Sequence, residues 1–540
     1  MKNLYLLLTI GLLSINGYCQ QGQWTWMNGN SIVNSVGHFG TQGVFDSLNT
    51  PPGIYEASGW TDKQGNFWVY GGVSYGSGAD LWEFNPFINQ WAWIKGSDAD
   101  CPQGIWGTQG ISSPANNPGC RGDFLTWVDT SGNFWLFGGG AADINNNYGV
   151  LNDLWKYDIG INEWTWMKGA NIRNDPGYYG TIGIEALANN PPSRGSTNVS
   201  WTDTNNNLWL FGGIRSSELS DLWKYNIITN NWTWIKGADT TNQPGVWGTK
   251  GSPDPANIPC ARGAWPKWKD CNDDLWFFGG FVNFIGTYND LWRYHIATNE
   301  FTWMSGTHNI YDTGSVNGLC LQSVNNIPPP RFDNSAVWSI GEDHFEVFGG
   351  YTPANVHCYN DLWDYNIITN EWTLMSGSST DVDLPGSYGS LTVSSGTNMP
   401  MSRSLSIGWK DNDGNLWLFG GTNHNNDRLN DMWRFVPDTT CPVVIPCNQS
   451  TGIKQISIPK NNFSIYPNPN NGIFTLFYHL SSSNNELQII DVLGRTVYIY
   501  KIEQTEGTQT IDVSGFGNGV YFYQLTNYKE TLRGKFVIEK

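Results

Sequence analysis

Short apolar runs, each closed by a Gly-Gly pair, recur through the chain up to about residue 437. They read FWVYGG to Gly72, FWLFGG to Gly139, LWLFGG to Gly213, LWFFGG to Gly280, FEVFGG to Gly350 and LWLFGG to Gly421. Successive pairs lie 67, 74, 67, 70 and 71 residues apart. Runs this short, aromatic and bounded by Gly, Asn and Asp predict strands and not helices. Their regular spacing predicts a repeat architecture whose units bury their faces on one another.

Each pair is followed by a DLW or DMW strand at Asp80, Asp153, Asp221, Asp290, Asp361 or Asp431, and in five repeats by a strand like Trp164-Thr165-Trp166. Each is preceded by a strand carrying Trp60, Trp127, Trp201, Trp268, Trp338 or Trp409. The unit is therefore four short strands. Turns such as Asp129-Thr-Ser-Gly132-Asn and Asp411-Asn-Asp-Gly414-Asn join the first two, with Gly or Asn supplying the positive φ of a hairpin. The sixth unit lacks its fourth strand, because Val-Pro-Asp follows Phe435. Residues 23–27, QWTWM, match a fourth strand and precede every first strand. They are expected to pair into the last unit and close the ring, which leaves no sheet edge exposed.

The ends of the chain read differently. Residues 1–19 have the form of a signal peptide, with Lys2, an apolar stretch over 4–15 and small residues Gly17 and Cys19 before a cut at Gln20. That stretch is too short to span a bilayer, and no later segment is a membrane-helix candidate. Residues 20–437 form the repeat domain. Residues 438–459 read as a linker, and from 460 to 540 Trp is absent and alternating strands are expected at 474–480, 487–491, 496–502, 509–513, 520–525 and 534–539. Their spacing predicts a small immunoglobulin-like β-sandwich. The fold class is all-β throughout.

The 540 residues carry 29 basic and 47 acidic side chains, for a net charge of −18. Such a chain has no broad cationic surface for nucleic acid or anionic lipid. Aromatic residues at 15% and 63 glycines argue against disorder and against a helical bundle. Beyond Cys19 there are eight cysteines, Cys101, Cys120, Cys260, Cys271, Cys320, Cys358, Cys441 and Cys447. An even number in an exported chain favours disulfides, and pairing between sequence neighbours is expected. No two are spaced as Cys-x-x-Cys, so zinc is not expected.

The Gly-Gly pair, then an aromatic, then six residues and a Trp, as from Tyr157 to Trp164 and from Tyr225 to Trp232, resembles the kelch repeat. The resemblance covers roughly residues 22 to 437 and implies a six-bladed kelch-type β-propeller, of the superfamily that includes galactose oxidase. In the C-terminal region Tyr466-Pro467-Asn468-Pro469, Gly472, Gly494, Gly519 and Tyr521, ending in a Lys-Phe-Val tail, resemble the sorting domain of type IX secretion in Bacteroidetes. That resemblance implies export through the periplasm by the type IX machinery, to the medium or the cell surface.

Three sets of residues are candidates for a binding site. The loops between blades repeat Gly-x-aromatic-Gly, with Trp106, Tyr179, Trp247 and Tyr388, rings that either stack on sugars or pack their own loop. Arg121, Arg194, Arg262, Arg331 and Arg403 precede the first strands, with Ile54 in the sixth place. They are suited to hold an anionic group, or to pair with the Asp that opens each third strand. His357 and His424, with His38 and His308, fall in loops of the same face, and blade five departs most from the repeat, with His344 and Glu346. No Ser-His-Asp elbow, phosphate loop, metal signature or carboxylate pair is identifiable by spacing. Asp411-Asn-Asp-Gly414 lacks the Glu that completes a calcium loop. The resulting expectation is a secreted or surface-displayed, non-enzymatic propeller without cofactor that binds a glycan or protein through its long-loop face. The alternatives are a carbohydrate-active enzyme, resembling kelch sugar oxidases or sialic acid mutarotases and using the histidines or Glu346, and a structural matrix component.

Overall fold

The computed structural model describes residues 22–437 except 75–77, 97–100, 197–198, 264, 283–285, 311, 334–335, 342 and 353–356, and residues 462–540 except 467–470, 480–484, 492–494, 527–530 and 539. The expected signal peptide and linker, Cys441, Cys447, Pro467 to Pro469 and Gly494 lie outside the described residues. Every regular element among the described residues is a strand. The chain divides into two compact units, 1–448 and 449–540.

The first unit contains six antiparallel sheets with a four-strand core. In five of them the four strands are consecutive repeats of one order. In the sixth the order is Gln23–Asn28, Met432–Val436, Leu416–Phe419 and Ile407–Lys410. Trp24 lies opposite Phe435 and Trp26 opposite Trp433. The aromatic pair of the kelch motif shows why this matters. Tyr157 and Trp164 lie 5.0 Å apart at 47°, Tyr225 and Trp232 5.0 Å apart at 49°, and Tyr365 and Trp372 4.8 Å apart at 49°. Trp24 and Phe435 reproduce the contact at 5.0 Å and 49°, across the two ends of the domain.

Side chains alternate along each strand, so both faces of each blade are apolar and each faces a neighbour. Six aromatic-rich clusters fill the six blade interfaces, including one between blades one and six that joins Phe67 and Trp82 to Trp409 and Trp417. Trp on first and second strands pair directly, as Trp127 with Trp135 and Trp201 with Trp209. The hairpin Asp fixes the second ring: Asp129 Oδ2 accepts from Trp135 Nε1 at 2.9 Å, and Asp411 Oδ2 from Trp417 at 2.8 Å. The oxygens of Asp411 are thus spent on its own hairpin, where Oδ1 accepts from the amides of Asp413 and Asn415.

The long loops between blades do unanticipated work. Each runs back along the outer edge of the blade that follows it and plugs that edge with one buried Asn. Asn116 Nδ2 donates to the Trp164 carbonyl at 3.0 Å, Asn189 to Trp232 at 3.0 Å, Asn326 to Trp372 at 2.8 Å and Asn398 to Trp24 at 3.2 Å. A backbone amide further along each loop adds a second contact, as when the Gly183 amide donates to the Trp234 carbonyl and the Thr392 amide to the Trp26 carbonyl, both at 2.7 Å. Open groups that would otherwise template edge-to-edge pairing are thereby satisfied.

The cysteines correct one expectation. Cys101 and Cys120 are bonded, as neighbour pairing predicts. Cys260 and Cys358 are free thiols, while Cys271 takes part in a disulfide. Neighbour pairing therefore fails for Cys260 with Cys271 and for Cys320 with Cys358. Burial pushes the Cys358 thiol up to about 12, so it is inert at neutral pH.

The second unit is a sandwich of a three-stranded and a four-stranded sheet around one core that includes Phe474, Leu476, Leu487, Ile489, Ile511 and Phe536. Gly472 has φ +95°, and its carbonyl accepts from Val513 at 2.7 Å. Tyr521 stacks on Phe516 and Phe536.

Candidate functional site at the channel mouth

The arginine column, the third-strand Asp and the loop aromatics converge on a single hub in each of four blades. In blade three, Arg194 donates two hydrogen bonds to Asp221, both 2.8 Å, and a third at 2.8 Å to the carbonyl of Gly212. Asp221 Oδ2 also accepts from Trp223 Nε1 at 2.7 Å and from Tyr179 Oη at 2.8 Å. Asp153 does the same for Arg121, Trp155 and Trp106, Asp290 for Arg262, Trp292 and Trp247, and Asp431 for Arg403, Trp433 and Tyr388. Arg331 pairs with Asp361, but the fifth loop has Val316 where the aromatic stands elsewhere. Both side chains of each of these pairs are 0–1% exposed. The guanidinium groups are turned inward, so this column is an internal ring of ion pairs instead of a ligand-facing one. The Gly-Gly pair belongs to the same hub: Gly138 and Gly139 have φ of +66° and +88°, and a Cβ at Gly138 would lie 2.8 Å from the Arg194 carbonyl.

Among the loop rings, Trp106 is 3% exposed and Tyr179 and Tyr388 pack edge-on against Trp234 and Trp26. Trp247 alone lines a sizeable cavity, about 500 Å³, between blades three and four, with Tyr288 and Cys260. His357 and His424 come together on one carboxylate: His357 Nδ1 is hydrogen-bonded to Asp383, and His424 Nδ1 lies 3.5 Å from its other oxygen. Among the described residues no three His, Cys, Asp or Glu side chains form a metal-holding group. Glu346 does not reach the loop face. It sits within the strand His344–Phe348, buried opposite Trp338 and Asp364, and His344 donates to Asp364 at 2.8 Å.

The asymmetric chemistry stands two residues beyond each arginine. Here the backbone of every described blade turns left-handed: Glu56 at φ +59°, Asp123 at +57°, Ser196 at +49°, Asp333 at +55° and Leu405 at +56°. Non-glycine residues with positive φ cost strain and collect at functional sites. This position heads the innermost strands, where the axial channel opens. Adjacent members are linked, as the Asp123 amide donates to the Glu56 carbonyl at 3.3 Å and the Leu405 amide to the Asp333 carbonyl at 3.0 Å. Ser196 Oγ donates to Asp123 at 3.0 Å.

A cavity of about 300 Å³ opens beside them, lined by Glu56, Asp123, Tyr148, Asn174, Ser196 and Arg215 among others. Tyr148 opens the third strand of blade two, Tyr148–Asp158, and the residue is 71% exposed. Burial, then the neighbouring Asp123 and Asp333, pushes Glu56 from 4.5 up to about 9. Burial and Asp123 raise Asp333 to about 8, while Asp123, eased by the Ser196 hydroxyl, rises to about 6. Three acids crowded at one mouth cannot all ionise together. The folded chain therefore holds protons that the unfolded chain releases, and its stability falls as pH rises from about 4.5 through about 9. Glu56→Gln is expected to flatten this fall, read as a smaller decrease in Tm between pH 5 and 9.

Sequence reasoning missed these residues, although the signal was there. The position reads Glu, Asp, Ser, Ala, Asp and Leu around the ring, while the Arg two residues before it repeats in five of the six blades.

Residues 464–539 match the family model described as a secretion system C-terminal sorting domain. A kelch repeat-containing protein of Dictyostelium discoideum is 22% identical over 281 residues, 52% of this chain and 34% of its own length. The human multiple epidermal growth factor-like domains protein 8 is 25% identical over 241 residues, 42% of this chain and 7% of its own. The propeller is thus similar to kelch-repeat proteins, and the C-terminal region carries a secretion sorting domain. The solved structure of YjhT aligns with 74% of this chain and 96% of its own, at 11% identity and a TM-score of 0.44. The kelch propeller thus spans about a third of the first relative and a small fraction of the second. Its sorting domain places it outside the cell or on the cell surface. No helix of the described residues is long and apolar enough to cross a membrane.

Proposed function

We propose that the propeller is a secreted binding module that takes a glycan at the channel mouth. The observation that carries this reading is the cavity itself, in which an exposed tyrosine ring faces carboxyl, amide, hydroxyl and guanidinium groups. A sugar offers an apolar C–H face for the ring and hydroxyls that donate and accept, which a mixed set of this kind suits. A glycan array probed with the full-length protein tests it. Saturable binding that Tyr148→Ala weakens at least about tenfold is expected, which corresponds to loss of one stacked ring. A blank array, or binding indifferent to Tyr148→Ala, overturns it.

A second reading, a carbohydrate-active enzyme, is favoured by one observation. Glu56 and Asp123 are adjacent carboxyls held about three pH units apart, at about 9 and about 6, so that near pH 7 one is an acid and the other a base. Turnover of an array hit, followed by NMR at the anomeric carbon and abolished in Asp123→Asn, would establish that reading in place of simple binding.

A further inference from the structure

The innermost strands line the axial channel, and the residue just before each conserved-looking Trp of the repeat points to one layer of its wall. That layer reads Gly59, Thr126, Ser200, Lys267, Val337 and Gly408 around the ring. Five of these lie with Lys267 or beside it on the wall of a channel void of about 110 Å³, or hydrogen-bond to its amine, as Ser200 does. One blade thus projects a long amine into space that the small residues of the others leave open.

No carboxylate stands on any of the six innermost strands, whose charged side chains are Lys267, Lys269 and Lys410. Lys269 is paired with Asp273 at 2.8 Å and Lys410 donates to the Ser339 carbonyl at 2.6 Å, so both are directed elsewhere. Among the described residues the hydrogen-bond partner of the Lys267 amine is the Ser200 hydroxyl. We propose that Lys267 is a nucleophilic amine that captures a small aldehyde in the channel as an imine.

Burial lowers this amine from 10.5 to about 7, so about half of it is unprotonated at neutral pH, against less than about 0.1% of an ordinary lysine. In the step, the nitrogen lone pair attacks the carbonyl carbon to give a carbinolamine. A proton passes from nitrogen to oxygen, and loss of the hydroxyl with the remaining N–H proton as water then leaves the C=N bond, so no oxidant or reductant is needed. The void admits a molecule of a few heavy atoms, which sets the ligand class as a small aliphatic aldehyde and excludes intact sugars.

The test treats the full-length protein with propionaldehyde and cyanoborohydride, which reduces the imine to a stable secondary amine, and maps the modified lysines by peptide mass. At pH 7 Lys267 is expected to react at least about tenfold faster than the exposed Lys63 and Lys501. Lys267→Arg, which keeps a long cation in the channel, removes the fast site and leaves the slow ones unchanged. Equal rates at Lys267 and the exposed lysines in the folded protein, or modification of Lys267 only after denaturation, would overturn the proposal. Because the probe is not a glycan, this outcome is independent of the array.

Discussion

Arg194→Met is expected to destabilise the folded chain by about 3–5 kcal/mol, the cost of leaving a buried carboxylate without its counter-charge. Asp221 is fully buried and has no route to water, and the Gly212 carbonyl loses a donor in the same step. Replacing Arg194 and Asp221 together by Met and Leu should not rescue the protein, although many buried ion pairs tolerate that exchange. Here the carboxylate also accepts from Tyr179 and Trp223, and the apolar pair would strand both donors at about 1–3 kcal/mol each. Urea unfolding followed by Trp fluorescence reads both variants. A double mutant as stable as the parent would mean that the hub is an isolated ion pair and not a four-donor network.

Deleting residues 22–28 is the second large effect. The strand Gln23–Asn28 is the outer member of blade six, and Trp24 packs against Phe348 and Phe435 at 5.2 and 5.0 Å. Without it the strand Met432–Val436 becomes an open edge, and the Thr392 amide and Asn398 side chain lose the carbonyls of Trp26 and Trp24. The expected product is soluble aggregate with no cooperative thermal transition, because a ring cannot lose one interface without exposing its neighbours. Trp24→Ala alone should cost about 3–5 kcal/mol through its cavity. Size-exclusion chromatography and calorimetry check both, and a deletion mutant that stays monomeric with an unchanged Tm would deny the strand its closing role.

The propeller was legible in the sequence because each repeated residue has one local job. The Gly-Gly pair turns left-handed, the hairpin Asp holds its Trp, and the missing sixth fourth strand announced that residues 23–27 would supply it. What the repeats did not disclose was direction. Arg194 and Tyr179 read equally well as ligand groups or as structural partners, since only coordinates show that both point to Asp221. Loop length misled for a similar reason: the interblade loops are long because they travel to an outer edge and plug it with Asn, not because they present a surface. The cysteines failed because pairing depends on distance through space, and Cys358 stays a free thiol although Cys320 lies near it in sequence. The mouth residues were hidden by being irregular. Glu56 and Asp333 match nothing by spacing, and three turns of chain from different blades bring them together.

In the proposed reading the repeated residues are scaffold and the unrepeated ones at the mouth contact the ligand. One comparison tests that division: Glu56→Gln with Asp123→Asn on one side, Tyr179→Phe on the other, each measured for Tm and for affinity toward the strongest array ligand. The predicted result is that the mouth variant keeps or raises its Tm and loses binding, while the hub variant drops in Tm by several degrees and keeps its affinity. Binding that survives in the mouth variant and disappears with Tyr179→Phe, at unchanged Tm, would contradict it and return the site to the repeated loop aromatics.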